Sequence, residues 1–86
     1  MQNNSKTEDR ATAKTARSAA ARVPLDIGEL QINCFNGSIE LTGKVRGPRG
    51  ANGTVNVRKE FQHLVSLIGT VRGVRDVQSS RVLIFD

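Results

Sequence analysis

The stretch INCFNGSIELTG, residues 32–43, decides the fold because it contains the strands of a β-hairpin and the turn that joins them. Asn36-Gly37 is a preferred pair for a two-residue type I′ turn, in which both residues take positive φ. Pairing outward from this turn sets Phe35 against Ser38, Cys34 against Ile39, Ile32 against Leu41, and Leu30 against Gly43. The apolar residues of these pairs then share one face, except for Phe35, which lies among polar residues on the other face. This alternation predicts an antiparallel sheet with one side in water.

A helix and a third strand are predicted after the hairpin. Apolar residues recur with the spacing of an amphipathic helix at Val57, Phe61, Leu64, Ile68 and Val71. We expect this helix to begin near residues 54–56 with Thr54 or Asn56 as the cap, and to end at Gly69 or Gly73. The last residues, DVQSSRVLIFD, predict a strand because β-branched and aromatic residues concentrate there. Which face of that strand is buried is left open.

The N-terminal segment, residues 1–22, differs from the rest of the chain. It contains five basic and two acidic residues, and so holds +3 of the net charge of +5. Its alanines, lysines and arginines favour a helix, but it has no Leu, Ile or Phe to anchor one. We therefore expect a tail or a weak helix that ends before Pro24. Residues 23–86 are expected to form one α+β domain, a three-stranded sheet with one face covered by the amphipathic helix.

This order of elements, α-β-β-α-β, and several short motifs resemble the BON domain, a small bacterial module. The matching features are the strand that enters the Asn-Gly turn, the IELTGKV strand that leaves it, the helix, and GVRDVQSSRVLI near the end. Within the last of these, Gly73 and Val74 followed by Val77 are similar to the family's turn into its final strand. The resemblance covers about residues 25–85. The first helix departs from it by lacking apolar residues, and the glycine-rich loop after the second strand is longer than is typical.

The resemblance implies a non-enzymatic module that binds phospholipid or protein, often in the cell envelope. It implies no cofactor. The first residues, MQNNSKTEDR, do not have the pattern of a signal peptide. We therefore expect a cytoplasmic location, or a periplasmic one if the sequence is a piece of a longer chain.

The residues themselves also argue against catalysis. The chain has one histidine, His63, which falls off the apolar stripe of the helix, and one cysteine, Cys34, which falls on the buried face of the hairpin. The carboxylates are scattered, so no close pair is available for general acid and base roles. We expect neither an enzyme nor a metal site.

Charge and exposed apolar residues suggest two kinds of binding surface. The pI near 10.4 favours anionic partners, and the candidate residues for binding phospholipid or another anion are Lys44, Arg46, Arg49, Arg72 and Arg75. These cations also have simpler explanations. The basic residues of the RGPRGANG loop can serve only to keep it solvated, and Arg72 and Arg75 can serve only to stabilise the end of the helix. The alternative is association with a protein or with a second copy through a sheet face that carries Phe35, Leu83 and Phe85. Nucleic-acid binding is less favoured, because three Phe without Tyr or Trp offer no stacking surface.

Overall fold

The computed structural model describes residues 5–48 and 55–85, with side chains from residue 8 onward in those ranges. The elements in chain order are α1 (Ser5–Ala20), β1 (Leu30–Phe35), β2 (Ser38–Arg46), α2 (Val57–Gly69) and β3 (Asp76–Phe85). The predicted α+β class and the α-β-β-α-β order are therefore confirmed. The sheet has the order β1-β2-β3, so β2 is central. Both helices pack on the same face of this sheet, and the core lies between them and the apolar side of β2.

The hairpin has the predicted register, with Phe35 opposite Ser38 and Leu30 opposite Gly43. Asn36 and Gly37 have φ values of 51° and 83°, the positive values that a type I′ turn requires. A Cβ atom at Gly37 would also lie only 2.7 Å from the carbonyl oxygen of Gly73. Glycine is therefore required at this position both by the turn and by the close approach of the segment that leads into β3.

β3 runs parallel to β2 and contains an irregularity that settles which of its faces is buried. Glu40 pairs with Gln78, but Thr42 pairs with Arg81, so β3 has one more residue than β2 between these pairs. This β-bulge shifts the alternation of side chains along β3. As a result Val82 and Ile84 pack partly buried against the core, while Leu83 and Phe85 lie on the outer face, 58% and 48% exposed.

α2 follows the predicted apolar stripe as far as Ile68, whereas Val71 lies beyond the end of the helix. Val57, Phe61, Leu64 and Ile68 are buried. Asn56 caps the helix, because its side-chain oxygen accepts a hydrogen bond of 3.1 Å from the backbone N–H of Lys59. The helix ends at Gly69, and Gly73 has a φ of 97° in the turn that leads to β3.

α1 is packed into the core, although it has no large apolar residue. Ala16 and Ala20 are completely buried. The guanidinium of Arg17 donates hydrogen bonds to the carbonyl oxygens of Leu30, at 2.9 Å, and Ile27, at 3.1 Å. Small side chains let the helix backbone approach its neighbours closely, so the absence of Leu, Ile and Phe does not prevent docking. The helix is part of the domain rather than a separate tail.

Candidate functional site

The structure divides the candidate basic residues between opposite ends of the sheet. Because β2 and β3 are parallel, Ser38 pairs with Asp76 at one end and Arg46 pairs with Phe85 at the other. The eight residue steps from Ser38 to Arg46 separate these ends by roughly 26 Å. Lys44 and Arg46 therefore lie at one end, whereas Arg72 and Arg75 precede β3 at the other. Arg49 lies outside the described residues.

Cations surround an exposed aromatic ring at the first of these ends. Lys44 pairs with Leu83 and Arg46 with Phe85, all four on the outer face of the sheet. The Nζ atom of Lys44 is 5.9 Å from the centroid of the Phe85 ring, and the Cζ atom of Arg46 is 5.6 Å from it. Cation–π contacts of this kind contribute about 0.5–1 kcal/mol each at exposed sites. We call the set of Lys44, Arg46, Leu83 and Phe85 the basic–aromatic corner.

Glu29 lies beside this corner and partly neutralises it. Its carboxylate is 3.6 Å from the guanidinium of Arg46 and 4.0 Å from the ammonium of Lys44. Its backbone carbonyl accepts a hydrogen bond of 3.1 Å from the N–H of Lys44. All three side chains are about half exposed, and exposed ion pairs are weak. An anionic ligand can therefore compete with Glu29 for both cations.

The other end of the sheet contains a cleft of about 610 Å³ between α1, the hairpin turn and the turn before β3. The cleft is lined by Glu8, Asp9, Ala11, Thr12, Asn36, Gly37, Arg72, Gly73 and Arg75. The lining contains two arginines and two carboxylates, so its formal charges balance. The aliphatic part of Arg75 lies against Gly37, and its backbone N–H donates a 2.7 Å hydrogen bond to the Gly37 carbonyl. This end is therefore less suited to an anionic surface than the basic–aromatic corner.

Asp9 connects α1 to the hairpin turn within this cleft. Its carboxylate accepts hydrogen bonds from the backbone N–H of Asn36 at 2.9 Å and of Gly37 at 3.3 Å. The thiol of Cys34 donates a third, at 3.4 Å. The bond from Asn36 is the main reason that the pKa of Asp9 is lowered, and partial burial opposes it. The carboxylate thus holds the turn that sets the register of the hairpin.

The three exposed apolar residues do not form one patch. Phe35, which is 75% exposed, lies beside the turn on β1. Leu83 and Phe85 lie at the opposite end of the sheet, on β3. The central strand β2 separates β1 from β3, so Phe35 and Leu83 share the outer face of the sheet but do not form one contiguous patch.

Cys34 and His63, the cysteine and the histidine of the chain, lie on different elements, β1 and α2. Burial, and then the hydrogen bond to Asp9, raise the pKa of the Cys34 thiol, which keeps it in the weakly nucleophilic thiol form. His63 is on the exposed side of α2, 3.6 Å from the carboxylate of Glu60. Residues 5–48 and 55–85 hold no group of three or more His, Cys, Asp or Glu side chains placed to bind a metal ion. Neither α1 nor α2 is long and apolar enough to span a membrane.

Three residues that organise these surfaces were not singled out from the sequence. Glu29 and Asp9 act on partners in other elements, so no local pattern reveals them. Gly43 has a φ of 98° within β2, next to the carbonyl of Glu29. An isolated glycine inside a strand pattern is a recognised signal for such an irregularity.

Comparison of the sequence with protein-family models gives no match, and comparison with curated proteins gives none either. The resemblance to the BON domain therefore stays a prediction from short motifs.

Proposed function

We propose that the chain is a non-catalytic, BON-like binding module that attaches to anionic phospholipid surfaces through the basic–aromatic corner. The observation that supports this function is the combination of two exposed cations with two exposed apolar side chains on one face, at Lys44, Arg46, Leu83 and Phe85. Protein surfaces that bind lipid interfaces pair basic residues with apolar ones in this way.

Each part of the corner has its own role in such binding. A Lys or Arg near an anionic bilayer contributes about 1 kcal/mol, so two cations give weak attachment and several are needed for strong attachment. Phe85 and Leu83 add burial of apolar surface at the level of the head groups. The basic residues of α1 lie on the other side of the sheet, and they contribute long-range attraction rather than contact with the same flat surface.

A pair of double variants with the same change in charge tests the corner. Lys44→Gln/Arg46→Gln removes two cations from it, while Arg72→Gln/Arg75→Gln removes two from the other end of the sheet. In co-sedimentation with vesicles containing phosphatidylserine, we expect the first variant to lose binding and the second to keep most of it. Binding of the parent should fall steeply between about 0.05 and 0.5 M salt, as the Debye length shrinks from roughly 14 to 4 Å.

Two single variants examine the mechanism further. Glu29→Gln should strengthen binding, because it removes the carboxylate that competes with lipid for Lys44 and Arg46. Phe85→Ser should weaken it even at low salt. Equal losses in the two double variants would mean that only net charge matters, and no vesicle binding by the parent at low salt would end the proposal.

A protein partner is the alternative occupant of the same corner. It is supported by the exposure of Leu83 and Phe85 on an edge strand. Binding that survives high salt and is lost on Phe85→Ser would favour this alternative.

A further inference from the structure

β3 is an edge strand with an unusual exposed end. Among the described residues its only strand partner is β2, which leaves its other edge without a strand. The end of β3 has four apolar residues in succession, Val82, Leu83, Ile84 and Phe85. The other edge strand, β1, is shorter and alternates with polar residues at Gln31 and Asn33. Proteins usually protect the edges of sheets with charges, prolines or bulges. In β3 the bulge and Arg81 come before this apolar run, so the run itself contains none of these features.

The apolar run is complementary to itself in one antiparallel register. Residues 81–85 follow the bulge and alternate regularly between the two faces of the sheet. A two-fold axis at Leu83 would set Leu83 opposite its own copy and Val82 opposite Ile84. It would also set Arg81 opposite Phe85. Each pair joins residues of the same face, as strand pairing requires.

Charge disfavours a register centred on Arg81. In the register centred on Leu83, Arg81 would lie opposite Phe85 of the copy, whose ring already has Lys44 and Arg46 at 5.9 and 5.6 Å. The guanidinium of Arg81 is 3.6 Å from the carboxylate of Glu40 in its own chain, and this carboxylate offsets part of the repulsion between the cations. A two-fold axis at Arg81 would instead place two guanidinium groups opposite each other, which is destabilising, and would extend the pairing into the bulge. The Leu83-centred register is also the one that uses the whole regular segment, residues 81–85.

We propose that two copies of this chain associate through β3, in antiparallel pairing about Leu83, to form a continuous six-stranded sheet. The backbone groups of the free edge supply the hydrogen bonds, and the Leu83 side chains meet on the outer face. A five-residue strand pair is a small interface, so the dimer is reversible and depends on concentration. The inference does not depend on phospholipid binding, since it rests on the edge of β3.

Disulfide trapping tests the register. In a Cys34→Ser background, Leu83→Cys places two thiols across the axis, where opposed Cβ atoms lie about 4.5–5.5 Å apart. We expect rapid formation of a covalent dimer under mild oxidation. Gln78→Cys in the same background is the matched control. Gln78 is exposed on the same strand, but the bulge separates it from Leu83, so it has no partner residue in the proposed pairing. Equal or faster trapping of Gln78→Cys would overturn the proposed register.

Sedimentation equilibrium tests the association itself. The parent should show a monomer–dimer equilibrium, and Leu83→Lys should raise its dissociation constant by roughly tenfold or more, because it opposes two like charges. Phe35→Lys adds the same charge at an exposed apolar residue at the opposite end of the sheet and should leave the equilibrium unchanged. Far-ultraviolet circular dichroism would verify that both variants are folded. A parent that sediments as a monomer at its highest soluble concentration would overturn the proposal, even if another protein were found to bind β3.

Discussion

Gly43→Ala should destabilise the domain by an amount that can be worked out from its surroundings. Gly43 has a φ of 98°, and a Cβ atom there would overlap the carbonyl oxygen of Glu29. That carbonyl accepts the hydrogen bond from the N–H of Lys44. Alanine must therefore adopt a strained backbone, and its Cβ must also displace the segment that carries Glu29, which breaks this bond.

The expected loss combines these two effects. Positive φ costs a residue with a Cβ about 1–2 kcal/mol, and a lost hydrogen bond adds about 0.5–1.5 kcal/mol. We therefore expect the free energy of unfolding to fall by about 1.5–3.5 kcal/mol. For a domain of this size, that loss lowers the Tm by roughly 6–28 °C.

Gly69→Ala is the matched control, because it makes the same chemical change in a different setting. Gly69 is in α2, and a Cβ there would meet no atom within 4 Å. Alanine in a helix is favoured over glycine by up to about 1 kcal/mol, so this variant should be slightly more stable than the parent. Urea and thermal denaturation of the three proteins measure both effects. If Gly43→Ala unfolds at the same midpoint as the parent, the argument from backbone geometry is refuted.

Three further predictions concern the hairpin and the docking of α1. Gly37→Val should lower the free energy of unfolding by more than about 1 kcal/mol, because a β-branched residue is strained at positive φ; an unchanged denaturation midpoint would contradict the type I′ turn. Folding lowers the pKa of Asp9. The ionised carboxylate therefore stabilises the fold in full at pH values above the unfolded-state pKa of about 3.9, and this stabilisation is lost as the pH falls through the lower pKa of the folded state. Asp9→Asn should accordingly flatten the decline of Tm below about pH 4, and a decline as steep as the parent's would show that Asp9 does not act through its charge. Arg17→Met should cost about 1–2 kcal/mol by removing the hydrogen bonds to Leu30 and Ile27. Arg10→Met is the control, because Arg10 is at an exposed position of the same helix, and it should change the free energy of unfolding by less than about 0.5 kcal/mol. If chemical denaturation shows equal losses for Arg17→Met and Arg10→Met, the hydrogen bonds of Arg17 do not stabilise the docking of α1.

The hairpin and α2 could be predicted from the sequence because their signals are local. The register of the hairpin follows from positive φ at Asn36 and Gly37 together with alternation on either side. The buried side of α2 follows from the spacing of Phe61, Leu64 and Ile68. In both cases the interacting residues are near each other along the chain, so the pattern of side chains contains the information.

The docking of α1 could not be predicted in this way. Ala16 and Ala20 are buried because the surface opposite them permits a close approach, and a sequence of alanines does not show what lies opposite. Asp9 and Arg17 bind backbone groups of the hairpin and of the segment before it. Backbone groups are present at every residue and leave no mark in the sequence.

The arrangement of the candidate surfaces was decided by the tertiary structure alone. Parallel pairing of β2 with β3 places Arg46 beside Phe85 and Arg75 beside the hairpin turn. This pairing therefore separates Arg46 from Arg75, although the sequence was compatible with one patch that contained both. The bulge then determines that Leu83 and Phe85 are exposed rather than Val82 and Ile84. These outcomes depend on hydrogen bonds between strands that are far apart in the chain, and the alternation within β3 is compatible with either face until that pairing is made.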